Sequence, residues 1–452
     1  MDLPSDSNFK SYTYMKKLLF PFCLLAVAFL SACNKTPKDP EPVAIGLQLI
    51  CDGNNFTVAD LTVALQDADA SFTLESKTDA SGKASFLVQP GVYSATCTYI
   101  ISEDGQRLAY SGSTNPFTVV KETPSTYNLP LQKVASRQIV IKEVYSTGCP
   151  KEPSGSYSND AYIILYNNSD IEADATNVVI GMLFPYNAQG NNKFYGEDGK
   201  LIYENADWVP AASALWSFTS EVKIPAYSQI VIALYGAVNH TETIPASVDL
   251  SNASYYWMSK NEQFVNAKYV VADAIPQSHY LSSVPFNMGN AWLFSNTAPA
   301  LFIGNMGKAE AEALALNTEA YDYTQGTGAS NQAVKFPQAK VIGCVDVFSA
   351  ANVSTSKLRF PASLNTGAVT ITGKLGYTVY RNVDKAATEA LPENEGKLVY
   401  DYAMGTVDVG GSTDPSGIDA EASIANGAHI IYLQTNSSAG DFHQRKQSSL
   451  KK

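Results

Sequence analysis

The sequence predicts an all-β protein: a small N-terminal β-sandwich followed by a larger β-rich domain, with few short helices. Three observations predict it. Glycine, proline and tyrosine are plentiful, at 29, 22 and 26 residues, while charged residues are only 16%, a composition of short strands and many turns rather than of long solvated helices. Apolar residues alternate at period two in several stretches bounded by turn formers. Helical periodicity is convincing only in "KAEAEALAL", Lys308–Leu316, which is too short to be stable alone and so must pack on the sheets.

The chain opens on a polar segment, 1–14, followed by Lys16, Lys17 and a thirteen-residue apolar run, 18–30. That run is too short to cross a hydrocarbon core of about 30 Å as a helix but suits the apolar part of an export signal. Met15, just before the lysine pair, offers a second start. Leu30, Ser31, Ala32 and Cys33 then resemble a bacterial lipobox, which implies a diacylglyceryl group on Cys33 and cleavage that leaves it amino-terminal. On this reading residues 1–32 are leader and signal peptide, and 33–42, with its prolines and charges, are a lipidated tether. The alternative is an unprocessed apolar N-terminus with an ordinary cysteine. No later apolar run reaches 18 residues, so the expected attachment is the acyl group, on an outer membrane and facing either the cell surface or the periplasm. The net charge of −12 supplies no basic patch for phosphates, which argues against nucleic acid as a partner.

Cys23 leaves with the signal and Cys33 carries lipid, so Cys51, Cys97, Cys149 and Cys344 remain as candidate disulfide partners in an oxidising compartment. Alternation puts Ile45, Leu47, Leu49 and Cys51 on one face, and Tyr93, Ala95, Cys97 and Tyr99 on another. Both cysteines are then expected in one core, where a bridge closing their 46-residue separation would contribute roughly 4 kcal/mol. Cys149 to Cys344 is the complementary pairing, and free buried thiols are the alternative.

Residues 43–132 read as one β module. In "TDASGKASFLVQPGVYSATCTY", 78–99, Asp79, Ser81 and Gly82 make a turn, Ala84, Phe86 and Val88 alternate, and Pro90 with Gly91 makes the next turn. Asp79 reads as an Asx-turn residue, with metal ligation as the alternative. The stretch resembles the carboxypeptidase-regulatory-like, transthyretin-like sandwich modules of bacterial surface proteins. That resemblance implies a seven-stranded immunoglobulin-like spacer without hydrolytic activity.

Residues 136–445 form the larger region. Positions 161–166 are apolar on both alternating faces, as in a strand covered on both sides, and Asn167, Asn168, Ser169 and Asp170 end it. Further strands are expected at 228–235, 268–271, 291–294, 340–346, 369–371 and 429–433. "DAYIILYNNSD", 160–170, "IPAYSQIVIA", 224–233, "VDLSNA", 248–253, and "LQTNSSAGDF", 433–442, together resemble a family of Bacteroidota surface lipoproteins carrying domain of unknown function 4876. The early strand and its asparagine turn also resemble the immunoglobulin-like lamin-tail domain. The family resemblance implies a TonB-dependent outer-membrane receptor as partner and carries no catalytic residues.

Catalytic chemistry finds little footing in the residues. His240, His279, His429 and His443 have no paired spacing and no HExxH, so a zinc site lacks convergent imidazoles. There is no GxSxG elbow, and the lone "DVGG" at 408–411 lacks the long glycine loop and lysine of a nucleotide site. Asp408, Asp414 and Asp419 are candidate calcium ligands without EF-hand spacing, with a solvated turn cluster as the alternative. Loops 191–210 and 251–264 place Tyr203, Trp208, Tyr256 and Trp257 among amides and glycines. These rings are the candidates for contact with a glycan, peptide or partner protein, and pinning loops to the core is their other reading. The expectation is therefore a lipid-anchored accessory binding protein. An enzyme acting on glycans or peptides and a structural adhesin are the alternatives.

Overall fold

The computed structural model describes residues 41–451, apart from 69–71, 104–105, 123, 136, 189–191, 259–265, 267–268, 286–293 and 329–330. Cys33, the signal and most of the tether lie outside the described residues, as do Lys268 and positions 291–293 of the expected strands. The chain is β-rich with few short helices, as the composition requires.

In the N-terminal module, alternation drives burial. Ile45, Leu47 and Leu49 face the core from Val43–Cys51, Ala84, Phe86 and Val88 from Lys83–Val88, and Tyr93, Ala95 and Cys97 from Gly91–Glu103. Asp79 is an Asx-turn residue: its Oδ1 accepts from the Ser81 amide at 2.8 Å, the Ser81 hydroxyl at 2.6 Å and the Lys83 amide at 3.1 Å. Gly82 completes the turn at φ +76°, where a Cβ would lie 1.9 Å from the Phe56 carbonyl oxygen. Among the described residues the module has nine strands, seven of them five residues or longer. The last strand, Thr126–Ala135, stitches the layers together. Its first half runs parallel to Val43–Cys51 and its second half antiparallel to Gln106–Ser113.

That topology overturns both expected disulfides; all four cysteines are free. Cys51 and Cys97 do sit on neighbouring core faces, but their strands are separated in the sheet by Thr126–Ala135 and Gln106–Ser113. Three strand spacings amount to roughly 14 Å along the sheet, whereas a disulfide needs Cα atoms within about 7 Å. Cys149 lies in a two-stranded ladder opposite Tyr157, and Cys344 in a different sheet opposite Phe302. Their thiols donate to Asp160 at 3.5 Å and to the Leu364 carbonyl at 3.4 Å.

The larger domain pairs a six-stranded with an eight-stranded sheet among the described residues. The first runs Tyr256–Trp257, Gln229–Ala233, Tyr162–Asn167, Ile139–Tyr145, Thr378–Arg381, Phe442–Arg445. The second is built on Trp208–Ser217, Val178–Leu183, Ala300–Asn305 and Val341–Ser349. Their facing sides share one core that includes Ile163, Leu165, Val179, Trp216, Phe302 and Val345. The far side of the six-stranded sheet buries Val140, Tyr166 and Tyr380 beneath Ile418, Ile430 and Tyr432. Tyr162–Asn167 is therefore buried throughout, as its two-faced apolar pattern predicts. Lys308–Leu316 is helical and packs Ala311 and Ala315 inward.

Two strand expectations need correction. Val271 makes only an isolated bridge to Ala237, and 429–433 joins no ladder beyond the bridge of Tyr432 to Val383. Ile430 and Tyr432 do face inward, but side chains satisfy much of the backbone there. Asn394 bonds both backbone groups of His429 at 2.7 Å, Asn168 bonds those of Tyr432 at 2.7 and 2.9 Å, and the Thr388 hydroxyl accepts from the Ile431 amide at 3.0 Å.

Candidate functional site

Pro42–Lys452 is one compact unit, and the N-terminal module packs directly on the larger domain. A cleft of about 570 Å³ opens between them, within the roughly 300–1,000 Å³ typical of small-molecule sites. The module contributes Asn115 and two rings, Phe117 and Tyr127, with centroids 4.3 Å apart. Tyr127 donates to the Thr118 carbonyl at 3.1 Å, which fixes its ring. The opposite wall comes from the loop between Asn192 and Ala206, with Tyr195, Lys200, Glu204 and Asn205.

That loop is held firmly. Asn192 accepts from the Phe194 amide at 3.0 Å and Asp198 from the Lys200 amide at 3.1 Å. Phe194 and Tyr203 are buried with centroids 5.4 Å apart, and Tyr203 donates to the Arg359 carbonyl at 2.7 Å. Tyr195 donates to the Leu358 carbonyl at 3.0 Å. Arg359 is anchored in turn by a fully buried pair with Asp346 at 2.7 Å and by the carbonyls of Pro185, Ala298 and Val347.

Of the rings singled out from the sequence, Tyr203 thus pins the loop that walls the cleft. Tyr256 is buried against Phe218 and stacks on His279, and Trp257 donates to the Tyr235 carbonyl at 2.5 Å. Trp208 is half-buried between Tyr203 and Lys335, whose ammonium lies 5.3 Å from its ring centre. None of the four lines the cleft. Loop 191–210 does line it, through Tyr195 rather than Tyr203 or Trp208. Phe117 and Tyr127 were missed because each falls within a strand, Phe117–Val119 and Thr126–Ala135, where an aromatic reads as core.

Among the described residues no group of three or more histidines, cysteines, aspartates or glutamates stands in metal-binding reach. The calcium candidates are occupied otherwise. Asp414 is buried and accepts from the Val383 amide at 2.8 Å and the Ser416 amide at 2.9 Å. Asp419 caps the helix Ala420–Ala425 by accepting from the Ala422 amide at 3.0 Å. Asp408 bonds Tyr377.

Two buried polar clusters lie elsewhere. Asp160 accepts at one oxygen from Ser247 at 2.5 Å, Tyr145 at 3.2 Å and Cys149 at 3.5 Å, and burial pushes its carboxyl up. Nearby His240 donates through Nε2 to the Gly236 carbonyl at 3.0 Å and so accepts at Nδ1 from Tyr157 at 2.8 Å. Serine, histidine and aspartate meet here without a nucleophile–base pair, since Ser247 bonds the carboxylate and the imidazole is otherwise engaged. In the second cluster Lys142, fully buried, meets Glu421 at 2.7 Å and Gln229 at 2.6 Å, ringed by Tyr166, Tyr380 and Tyr432 at 5.6–5.8 Å. Burial pushes Glu421 up, but Lys142, the Tyr380 hydroxyl and Arg445 together outweigh that and hold its carboxyl below the usual range.

The chain matches known proteins in its fold rather than in any activity. Residues 227–449 match the model of DUF4876, described as a protein of unknown function. The crystal structure of a DUF4876 family protein from Bacteroides thetaiotaomicron VPI-5482 aligns with TM-score 0.50 and 20% identity, covering 89% of this chain and 94% of that one. DUF3823 family proteins from Bacteroides ovatus ATCC 8483 and Parabacteroides merdae ATCC 43184 align at 11% and 10% identity with TM-scores of 0.15 and 0.16. They cover 60% and 68% of this chain and 93% and 99% of their own. No curated protein matches. The matched span includes "VDLSNA" and "LQTNSSAGDF" and begins after the 160–170 stretch. The C-terminal part of this chain is a DUF4876 domain.

Proposed function

We propose that this chain is a lipid-anchored accessory binding protein of the outer membrane or cell surface, working beside a TonB-dependent receptor. Its N-terminal module acts as a transthyretin-like spacer, its larger domain is lamin-tail-like, and the nutrient sits in the cleft between them. The observation that carries this reading is the cleft's lining among the described residues: fixed rings and open amides, with one carboxylate, Glu204, and no histidine or cysteine. Such a lining suits recognition, whereas glycoside hydrolysis needs two facing carboxylates and acyl transfer a nucleophile with its base. The lipobox supports the anchor. Affinity isolation of the full chain from native outer membranes in mild detergent, read by mass spectrometry, tests the partnership. Reproducible recovery of a TonB-type receptor supports it, and consistent failure to recover one overturns it. The anchor has a separate test, since Cys33→Ala is expected to abolish palmitate labelling.

A further inference from the structure

Resting on that reading of the cleft as a binding site, we infer that its ligand is a short neutral oligosaccharide. Phe117 and Tyr127 are half-buried, adjacent and held by the Tyr127 hydroxyl on Thr118, a rigid apolar surface of the kind on which the C–H face of a pyranose packs. Around it stand Asn115, Asn128 and Asn205, exposed and engaged through their side chains by no other described residue. Each amide offers donors and an acceptor together, which matches sugar hydroxyls, themselves both donors and acceptors.

Charge narrows the class further. Lys200 and Glu204 are the charged side chains of the described lining, of opposite sign, and Glu204 already accepts from the Ala362 amide at 2.9 Å. Neither an anion nor a cation finds a dominant counter-charge. A volume of about 570 Å³ fits a short oligomer.

Isothermal titration of the full chain with neutral oligosaccharides of starch, cellulose, xylan and mannan tests this, with a tryptic casein digest in parallel. Circular dichroism verifies that each variant is folded. At least one saccharide series is expected to bind, and Tyr127→Ala and Asn205→Ala each to weaken it by about tenfold. Binding that both variants leave unchanged overturns the assignment of the site. Binding of peptides but of no saccharide, with the same sensitivity to Tyr127→Ala, overturns the ligand class while the binding reading stands. Binding of neither overturns both.

Discussion

Cys97 occupies the position its alternation predicts, on the buried face with Tyr93 and Ala95, yet it forms no bridge, because periodicity gives a side chain's face and not its neighbour strand. Burial pushes its thiol up to about 12, and Cys149 and Cys344 are likewise pushed up to about 12, chiefly by burial. Thiolate, not thiol, is the reactive species. These three cysteines are therefore expected to resist iodoacetamide at about pH 8 in the native protein and to react fully in denaturant. Non-reducing peptide mapping decides the matter: a cystine-linked peptide would return the bridges excluded by the fold. Asp414 offers a second test at this scale. Burial raises its carboxyl from the ordinary 3.8 to about 6. Between those values the folded chain holds a proton that the unfolded chain has released, so the group stabilises the fold in acid, and this contribution is lost as pH rises from about 4 through 6. The stability of wild type relative to Asp414→Asn is expected to fall by about 3 kcal/mol across that window. Urea unfolding of both proteins at intervals of pH measures it, and a constant difference would refute the assignment.

At the scale of elements, the pair Lys142–Glu421 joins the strand Ile139–Tyr145 to the helix Ala420–Ala425. The register shifts between Ile141 and Glu143, the kind of irregularity that re-aims a side chain, and Lys142 reaches the tyrosine-lined far side of the sheet. Glu421→Gln keeps a partner for the Tyr380 hydroxyl but leaves the ammonium without its counter-charge. The expected cost is about 3 kcal/mol, the low end for a broken buried pair because Glu421 partly reaches solvent. Adding Lys142→Met should recover much of it, and a double variant less stable than the single one would count against the pair. The stretch "RQIVIKEVY" forms a strand of seven residues, all buried, but nothing in it marks which distant helix answers the lysine. The same limit explains 429–433. Its alternation correctly turns Ile430 and Tyr432 inward, while Asn168, Asn394 and Thr388, far away in the chain, stand in for a neighbouring strand. The short helices went unread. Asp384, Asp419 and Ser437 each accept from an amide three residues on, but helices of four to six residues leave almost no periodicity to read.

Across the whole molecule, the cleft exists only if the module and the larger domain hold a fixed relation, and the chain joins them tightly. Three residues separate Thr126–Ala135 from Ile139–Tyr145. Ser111 donates to the Thr435 carbonyl, and the Arg137 amide and guanidinium reach Gln434 and the Val341 carbonyl. A Cβ on Gly440 would come within 3.0 Å of the Thr98 hydroxyl, so the helix Ser438–Asp441 lies directly against a side chain of the module. The cleft was out of reach of sequence reasoning for the same reason: its walls are Tyr127 and Asn205, and only this docking brings them together. The docking has a thermodynamic signature that the distribution of tryptophan makes measurable. All 4 tryptophans lie beyond residue 200, so their fluorescence follows the larger domain alone. Leu47 is fully buried in the module's core, and Leu47→Ala should cost about 2–5 kcal/mol there. If the two parts unfold together, the tryptophan transition in urea moves to lower concentration with its slope unchanged and continues to coincide with the far-ultraviolet transition. If they unfold separately, the tryptophan midpoint stays where it was and the far-ultraviolet curve alone develops an earlier phase. The first outcome is expected, because a module tied through its last strand and through Ser111 cannot unravel without stripping partners from Thr435 and leaving one wall of the cleft unsupported.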